Sequence, residues 1–299
     1  MERIKTAHIS HAYAIDEAGD TVYVANINSN FIGRGLSKMK SGKLFSVFLC
    51  LLFCAGIASA QDAAPKHDVK FRVVAIAEIG NKDHQGFVDA AKIYLSKLAA
   101  ENNFAIDYIG NTEPINDAFL AKYKLFIQLN YPPYMWTPTA QKAIESYLTE
   151  GKGGWIGFHH AALLGDFDGY PMSPWFSEFM GDIRYTSYIP DFATATVRVE
   201  DSTHPVMKGV PSSFVVQHEE WYTWNQSPRP NVRVLASVDE STYQPDSLIK
   251  MGGDHPVIWS NEHYKARNVY IFMGHHADLF ENPTFVQIFH NAIFWAAGQ

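Results

Sequence analysis

Residues 153–161 read Gly-Gly-Trp-Ile-Gly-Phe-His-His-Ala. Gly154 to Phe158 is a short apolar run bounded by glycine, the pattern of a strand buried on both faces. Gly157-Phe158-His159-His160-Ala161 then has the G-x-Nu-x-G/A form of a nucleophile elbow, where a strand turns sharply into a helix and exposes one side chain. Small residues flank such a turn because its backbone is crowded. The exposed position is His159. An elbow is therefore predicted without a hydroxyl or thiol at its tip, and acyl-enzyme chemistry is not expected. A structural histidine capping the next helix would fit the same letters.

Working outward, Phe71 to Ile79 is a continuous apolar, β-branched run and predicts a first strand. Gly80 to Gln85 is a loop. Gly86 to Glu101 carries Phe87, Ala90, Ala91, Tyr94, Leu95 and Leu98 at helical spacing. Phe104 to Ile109 and Lys124 to Leu129 predict two more strands, with a short helical segment beginning at Phe119-Leu120 between them. Pro138 to Glu150 predicts a helix capped by Thr137 and ended by Gly151. Beyond the elbow, Ala195 to Glu200, Ser213 to Val216, Val232 to Val238, Val257 to Trp259 and Asn268 to Met273 read as strands, and Thr284 to Ala297 as a closing helix. Strands alternating with helices predict an α/β fold, a doubly wound, mostly parallel sheet with helices on both faces. No repeat or composition break divides residues 71–299.

In such sheets ligands bind outside the carboxyl ends of the strands. Those ends carry Asn81, Asp83, His84 and Gln85 after the first strand, and His159 and His160 after the fourth. His275, His276 and Asp278 follow the strand ending at Met273, and His218-Glu219-Glu220-Trp221-Tyr222 follows Val216. Histidine and carboxylate recur at one end of the sheet.

These residues resemble the trehalose-utilisation (ThuA-like) family, a branch of the class I glutamine-amidotransferase-like fold. The resemblance runs through nearly all of residues 71–299. It includes His84, the stretch Gly153 to His159, His204-Pro205-Val206 with Gly209-Val210-Pro211, and Glu219-Glu220-Trp221-Tyr222. It ends with His255-Pro256-Val257-Ile258-Trp259, Met273-Gly274-His275, and Phe294-Trp295-Ala296 with Gly298. Where the family often has a small polar residue after the elbow histidine, this chain has His160. The resemblance implies a flavodoxin-like three-layer sheet, a catalytic site built from His84, His159, Glu220 and His275, and a sugar as substrate. The larger superfamily hydrolyses glutamine with a Cys-His-Glu triad, which His159 at the elbow rules out here.

Imidazoles with a carboxylate can bind a divalent metal such as zinc, with His84, His159, Glu220 and His275 as candidate ligands. The same set can work without metal, since imidazole serves as acid and base near neutrality. The expected function is acid–base or metal-assisted elimination, isomerisation or hydrolysis at a sugar or keto-sugar glycoside. His160, Glu219, Tyr222, Trp221 and Asp83 are candidate substrate contacts. Tyr134, Trp136, Trp175 and Trp224 could also stack on sugar faces, and Leu163 to Phe192 looks like an insertion that could wall the site. A non-catalytic carbohydrate-binding or scaffold protein on the same fold is the alternative.

The N-terminal part predicts export. Lys40 and Lys43, the apolar run Leu44 to Ile57 and Ala58-Ser59-Ala60 form a signal-peptide pattern over residues 39–60. The run is shorter than the roughly 20 residues of a membrane span, so no stable anchor is expected. Met39 is the expected start, residues 1–38 a non-native extension, Gln61 the first mature residue and 61–70 a tether. The mature protein would be periplasmic or extracellular. Both cysteines, Cys50 and Cys54, leave with the leader. Of 24 Lys+Arg and 31 Asp+Glu, six and four lie in residues 1–60, leaving 18 and 27 and a net charge of −9. No basic stripe survives, so nucleic acid is not an expected partner.

Overall fold

The computed structural model describes residues 13–15, 22–24, 68–167 and 169–299. They belong to two units divided after His67. In the first, β1 (Tyr13–Ile15) and β2 (Val22–Val24) pair antiparallel, with Ala14 opposite Tyr23. The expected signal segment 39–60 and residues 61–67 of the tether lie outside the described residues.

The second unit opens with β3 (Arg72–Ala77), α1 (Gln85–Asn102), β4 (Ala105–Ile109), α2 (Asp117–Leu120), β5 (Leu125–Leu129), α3 (Pro138–Thr149) and β6 (Gly154–Phe158). It continues with α4 (Pro174–Phe179), β7 (Tyr185–Tyr188), β8 (Ala193–Val199), β9 (Ser213–Glu219) and β10 (Tyr222–Trp224). It closes with β11 (Arg233–Gln244), β12 (Pro256–Ser260), β13 (Asn268–Ile271) and α5 (Pro283–Ala296). The main sheet of the described residues runs β4-β3-β5-β6-β13-β12-β11-β8-β9.

The first five of these strands are parallel to one another. Their order is that of a flavodoxin-like sheet. The crossover from β3 to β4 steps one way and that from β5 to β6 the other. Right-handed connections therefore put α1 and α3 on opposite faces, which makes three layers. Side-chain alternation in β6 follows suit: Phe158 packs on Phe87 of α1 and Phe289 of α5, while Trp155 points the other way onto Phe176 and Phe179 of α4. β5 and β6 are buried along their whole length, and the one polar side chain among them, Gln128, is satisfied by donating to the Tyr131 carbonyl and accepting from the Trp155 indole N–H. Thr137 caps α3 as expected, its Oγ1 accepting from the Ala140 N–H, with Pro138 at the first helical position.

The remaining strands extend the sheet antiparallel. Three strands separate β9 from β13, yet Glu219 Oε2 accepts a hydrogen bond from the Gly274 N–H at 3.2 Å. The antiparallel end thus curls over the carboxyl ends of the parallel strands. The insertion 163–192 contributes α4 and β7, and β7 pairs with β10 as a small second sheet. Among the described residues no helix is long and apolar enough to cross a membrane.

Candidate functional site

β3 and β5 lie where the two crossover directions diverge, and their carboxyl ends open the crevice in which such sheets bind ligands. β3 ends at Ala77, two residues short of the expected Ile79. Glu78 thus belongs to the mouth of the site, while Ile79 is exposed. The chain then turns through Asn81 and starts α1, with His84 at its N-cap. His84 makes no capping hydrogen bond and is buried rather than solvated.

β6 delivers the elbow. His159 has φ +39°, in the left-handed region that costs a side-chain-bearing residue strain. The turn that follows is a single 3₁₀ turn, His159–Ala162, rather than the longer helix expected. A Cβ on Gly157 would stand 2.9 Å from that of Ala161, and one on Gly274 would stand 2.8 Å from that of His159. Asn130, just after β5, donates from Nδ2 to the Gly274 carbonyl at 2.6 Å, and the Tyr270 hydroxyl donates to the His159 carbonyl at 2.9 Å. The second bond ties the elbow to β13, and the first links the segments that follow β5 and β13 on either side of it.

The carboxylates come from β9. Phe214 and Val216 face inward, and strict alternation would bury His218 next. Instead the register with β8 slips and His218 takes φ +49°, so Glu219 turns in and His218 stays exposed. This is a β-bulge re-aiming a side chain beside a site.

The result is a compact cluster. Glu220 Oε2 lies 3.2 Å from His159 Nε2, 3.8 Å from His275 Nε2 and 4.0 Å from His84 Nε2. The His84 ring centroid is 3.9 Å from that of His160, 4.3 Å from His275 and 5.2 Å from His159. His160 Nδ1 stands 3.0 Å from Glu78 Oε2, at an angle that leaves both atoms without a hydrogen bond. Asn81 holds the other Glu78 oxygen at 3.2 Å. His159 Nδ1 faces the Phe272 carbonyl at 3.3 Å and Glu219 Oε1 at 3.8 Å. Two sets of ligand atoms lie within 4.8 Å of one another: His84, His159 and His160, and His84, Glu220 and His275.

Burial keeps His84, His159 and His275 neutral. It is the main cause that drives His84 and His159 well below the ordinary histidine range, reinforced by the neighbouring rings. His275 is lowered to about 4 by burial, partly opposed by Glu220. Burial raises Glu220, with His275 and His160 working against it. Glu219 is fully buried and raised to about 8 by burial, although the Glu220 and Gly274 N–H groups donate to it. It braces the loop behind His159.

The structure thus brings together His84, His159, Glu220 and His275, with His160 and Tyr222 against them; the Tyr222 and His159 rings are 4.4 Å apart. Two expected substrate contacts stand elsewhere. Trp221 is a core residue, stacked on Phe272 at 5.3 Å with its indole N–H donating to the Ala193 carbonyl, so it has no face for a sugar. Asp83 is exposed at the rim, and its carboxyl reaches the site only through the field that raises Glu220. Trp136 and Trp224 are also buried in the core. The insertion instead supplies an aromatic track leading outward from Tyr222. Tyr185 is 5.2 Å from it, Phe167 5.8 Å further, then Tyr134 at 5.1 Å and the exposed Tyr170 at 6.4 Å.

Glu78 and Asn130 were not among the expected site residues. Glu78 reads as the tail of the first apolar run, and Asn130 directly follows the strand ending at Leu129. The strand-end rule, applied at the true ends, finds both.

Comparison with known proteins agrees with this architecture. The family model described as trehalose utilisation, ThuA, matches residues 72–296. None of the curated proteins matches. A ThuA-like protein from Bacteroides uniformis shares 30% identity and a TM-score of 0.67, covering 82% of this chain and 95% of its own. One from Parabacteroides merdae has 17% identity and a TM-score of 0.56, with 76% and 90% covered. A β-galactosidase from Rahnella shares the fold over 31% of its length, at 14% identity and a TM-score of 0.50. The chain belongs to the ThuA (trehalose utilisation) family.

Proposed function

We propose that this chain is a sugar-directed enzyme that transfers protons at an oxidised sugar and so cleaves or isomerises a glycoside. The observation that carries the proposal is the convergence of three buried, neutral imidazoles on one carboxyl oxygen of Glu220. A neutral imidazole is a base, and a buried carboxyl with a raised pKa is an acid; groups pushed apart in this way are a working acid–base pair.

On a keto-glycoside the carbonyl acidifies the adjacent C–H. An imidazole of the cluster takes that proton, the electron pair forms a C=C bond, and the glycosidic C–O bond breaks. The protonated carboxyl of Glu220 gives its proton to the departing oxygen, so an unsaturated keto-sugar and a free hydroxyl result. Isomerisation uses the same first step and returns the proton to another carbon. Neither route needs a thiol or hydroxyl nucleophile, and the elbow carries none. The track from Tyr222 to Tyr170 supports a carbohydrate ligand, since aromatic faces stack on the C–H faces of sugar rings. The leader pattern extends the proposal to action outside the cytoplasm, where glycans are available.

The test is incubation with a keto-glucoside and its unoxidised parent, following release of the aglycone and absorbance of the unsaturated ketone. Turnover of the keto-sugar that disappears in His159→Ala and His275→Ala is expected. Binding of both sugars without chemical change, unaffected by either variant, would instead identify a carbohydrate-binding scaffold.

A further inference from the structure

The cluster contains a contact that a sugar substrate does not explain. His159 Nδ1 faces the Phe272 carbonyl at 3.3 Å, and a carbonyl oxygen can only accept. Nδ1 therefore carries the hydrogen of this neutral ring, and Nε2 presents its lone pair to Glu220 Oε2 at 3.2 Å. Two acceptors at that distance repel unless a proton or a cation joins them. A proton on Glu220 would answer this one contact. It would not answer His84 Nε2, which is buried without any hydrogen-bond partner and faces the same Glu220 oxygen at 4.0 Å. Orphaned buried polar atoms are costly and call for an explanation.

We infer that the cluster is a divalent transition-metal site of zinc class, with Glu220 Oε2, His84 Nε2 and His275 Nε2 as ligands and the His159 Nε2 lone pair beside them. Zinc binds nitrogen and oxygen at about 2.0–2.2 Å, so neighbouring ligand atoms of a tetrahedron lie about 3.3–3.5 Å apart. The distances around Glu220 Oε2, 3.2, 3.8 and 4.0 Å, bracket that edge. Three side chains need to close in by only a few tenths of an ångström. Imidazoles with one carboxylate select a borderline transition metal over magnesium or calcium, which favour all-oxygen shells. The outer contacts also fit, because a ligating histidine commonly gives its second N–H to a backbone carbonyl, as His159 gives Nδ1–H to Phe272. An ion bound here replaces the proton on Glu220, so Glu220 serves as the acid of the proposed reaction only in the metal-free protein. Metal binding is read without a sugar, so this inference and the proposed reaction can fail separately.

The experiment is titration of the EDTA-stripped, dialysed full-length chain with zinc chloride. It is followed by calorimetry and, with cobalt(II) in place of zinc, by visible absorbance. About one zinc per chain and cobalt ligand-field bands are expected, with no heat from magnesium chloride. His84→Ala and His275→Ala should each weaken zinc binding about tenfold or more and bleach the cobalt bands, whereas His290→Ala on α5 should not. Removing an unpartnered buried imidazole leaves no partner stranded, and circular dichroism checks that both variants remain folded. Absence of zinc binding by the native chain overturns the inference whatever the variants do, as does full binding by folded His84→Ala and His275→Ala.

Discussion

His160 Nδ1 stands 3.0 Å from Glu78 Oε2, and the two come from the carboxyl ends of strands on either side of β5. The pair sits against His84, whose ring centroid is 3.9 Å from that of His160. If it moves a proton during turnover, Glu78→Gln should lower kcat on a keto-glucoside about 100-fold or more with little change in KM. Full activity of Glu78→Gln would reduce the pair to a structural contact.

Gly274 is required by crowding rather than by an unusual φ. Its Cβ would meet His159 Cβ at 2.8 Å and Asn130 Oδ1 at 3.0 Å. Both neighbours are buried and held, so the strain has nowhere to go. Gly274→Ala should cost about 1–3 kcal/mol, the range for overpacking, and displace the elbow. A urea midpoint equal to that of the native chain would show that the loop yields more easily than this.

Stability in acid should depend on His204. Burial, aided by Arg233, lowers it to about 4, and its Nδ1 must stay unprotonated to accept the Val206 N–H. In the unfolded chain its pKa is near the ordinary 6.5, so between pH 6.5 and 4 only the unfolded state takes up this proton. Stability falls as pH drops through that window. Glu219, raised from 4.5 to about 8, has the opposite sign: between pH 4.5 and 8 the folded state holds this proton more tightly, so its contribution to stability grows as pH drops through that window. The net slope also contains the lowered His84, His159 and His275, so the informative quantity is a difference. His204→Asn, which keeps a capping acceptor, should lose less stability than the native chain between pH 6.5 and 5 by urea unfolding. Equal losses would count against it.

The aromatic track makes a prediction about substrate length. Phe167 and Tyr185 lie one and two contacts from the exposed end at Tyr134 and Tyr170. Phe167→Ala should raise KM several-fold for a keto-oligosaccharide while leaving a keto-monosaccharide unaffected. A uniform effect on both would point to a packing role.

The proposed export predicts a specific terminus. N-terminal sequencing of the secreted protein should begin at Gln61, and no peptide containing Tyr13 or Tyr23 should be recovered from cells.

Much of this molecule is legible because buried parallel strands leave an unmistakable mark. Phe126 and Ile156 sit in short runs of apolar residues, broken in the first only by Gln128, and the glycines around Gly157 announce the crowded turn. The short strands β7 and β10 leave no such mark. Tyr185 to Tyr188 and Tyr222 to Trp224 are three or four residues long, and only their mutual pairing makes them strands. The site divides in the same way. His159 and His275 follow clear strands and could be named directly. Which of His218, Glu219 and Glu220 points inward depends on one slipped register, which no count along the sequence reveals. Trp221 was misplaced for a related reason: adjacent residues beyond the bulge face opposite ways, and the indole falls on the core side.

The curl of the antiparallel strands has a further consequence. The elbow histidine belongs to the parallel half of the sheet, while Glu219 and Glu220 arrive from its far edge. The groups of the proposed reaction are therefore contributed by two parts of one chain. Lengthening the β8–β9 edge, or changing its bulge, would present a different acid to the same imidazole without disturbing the turn that holds it. The margin of the molecule can in this way be remodelled while its centre is left alone.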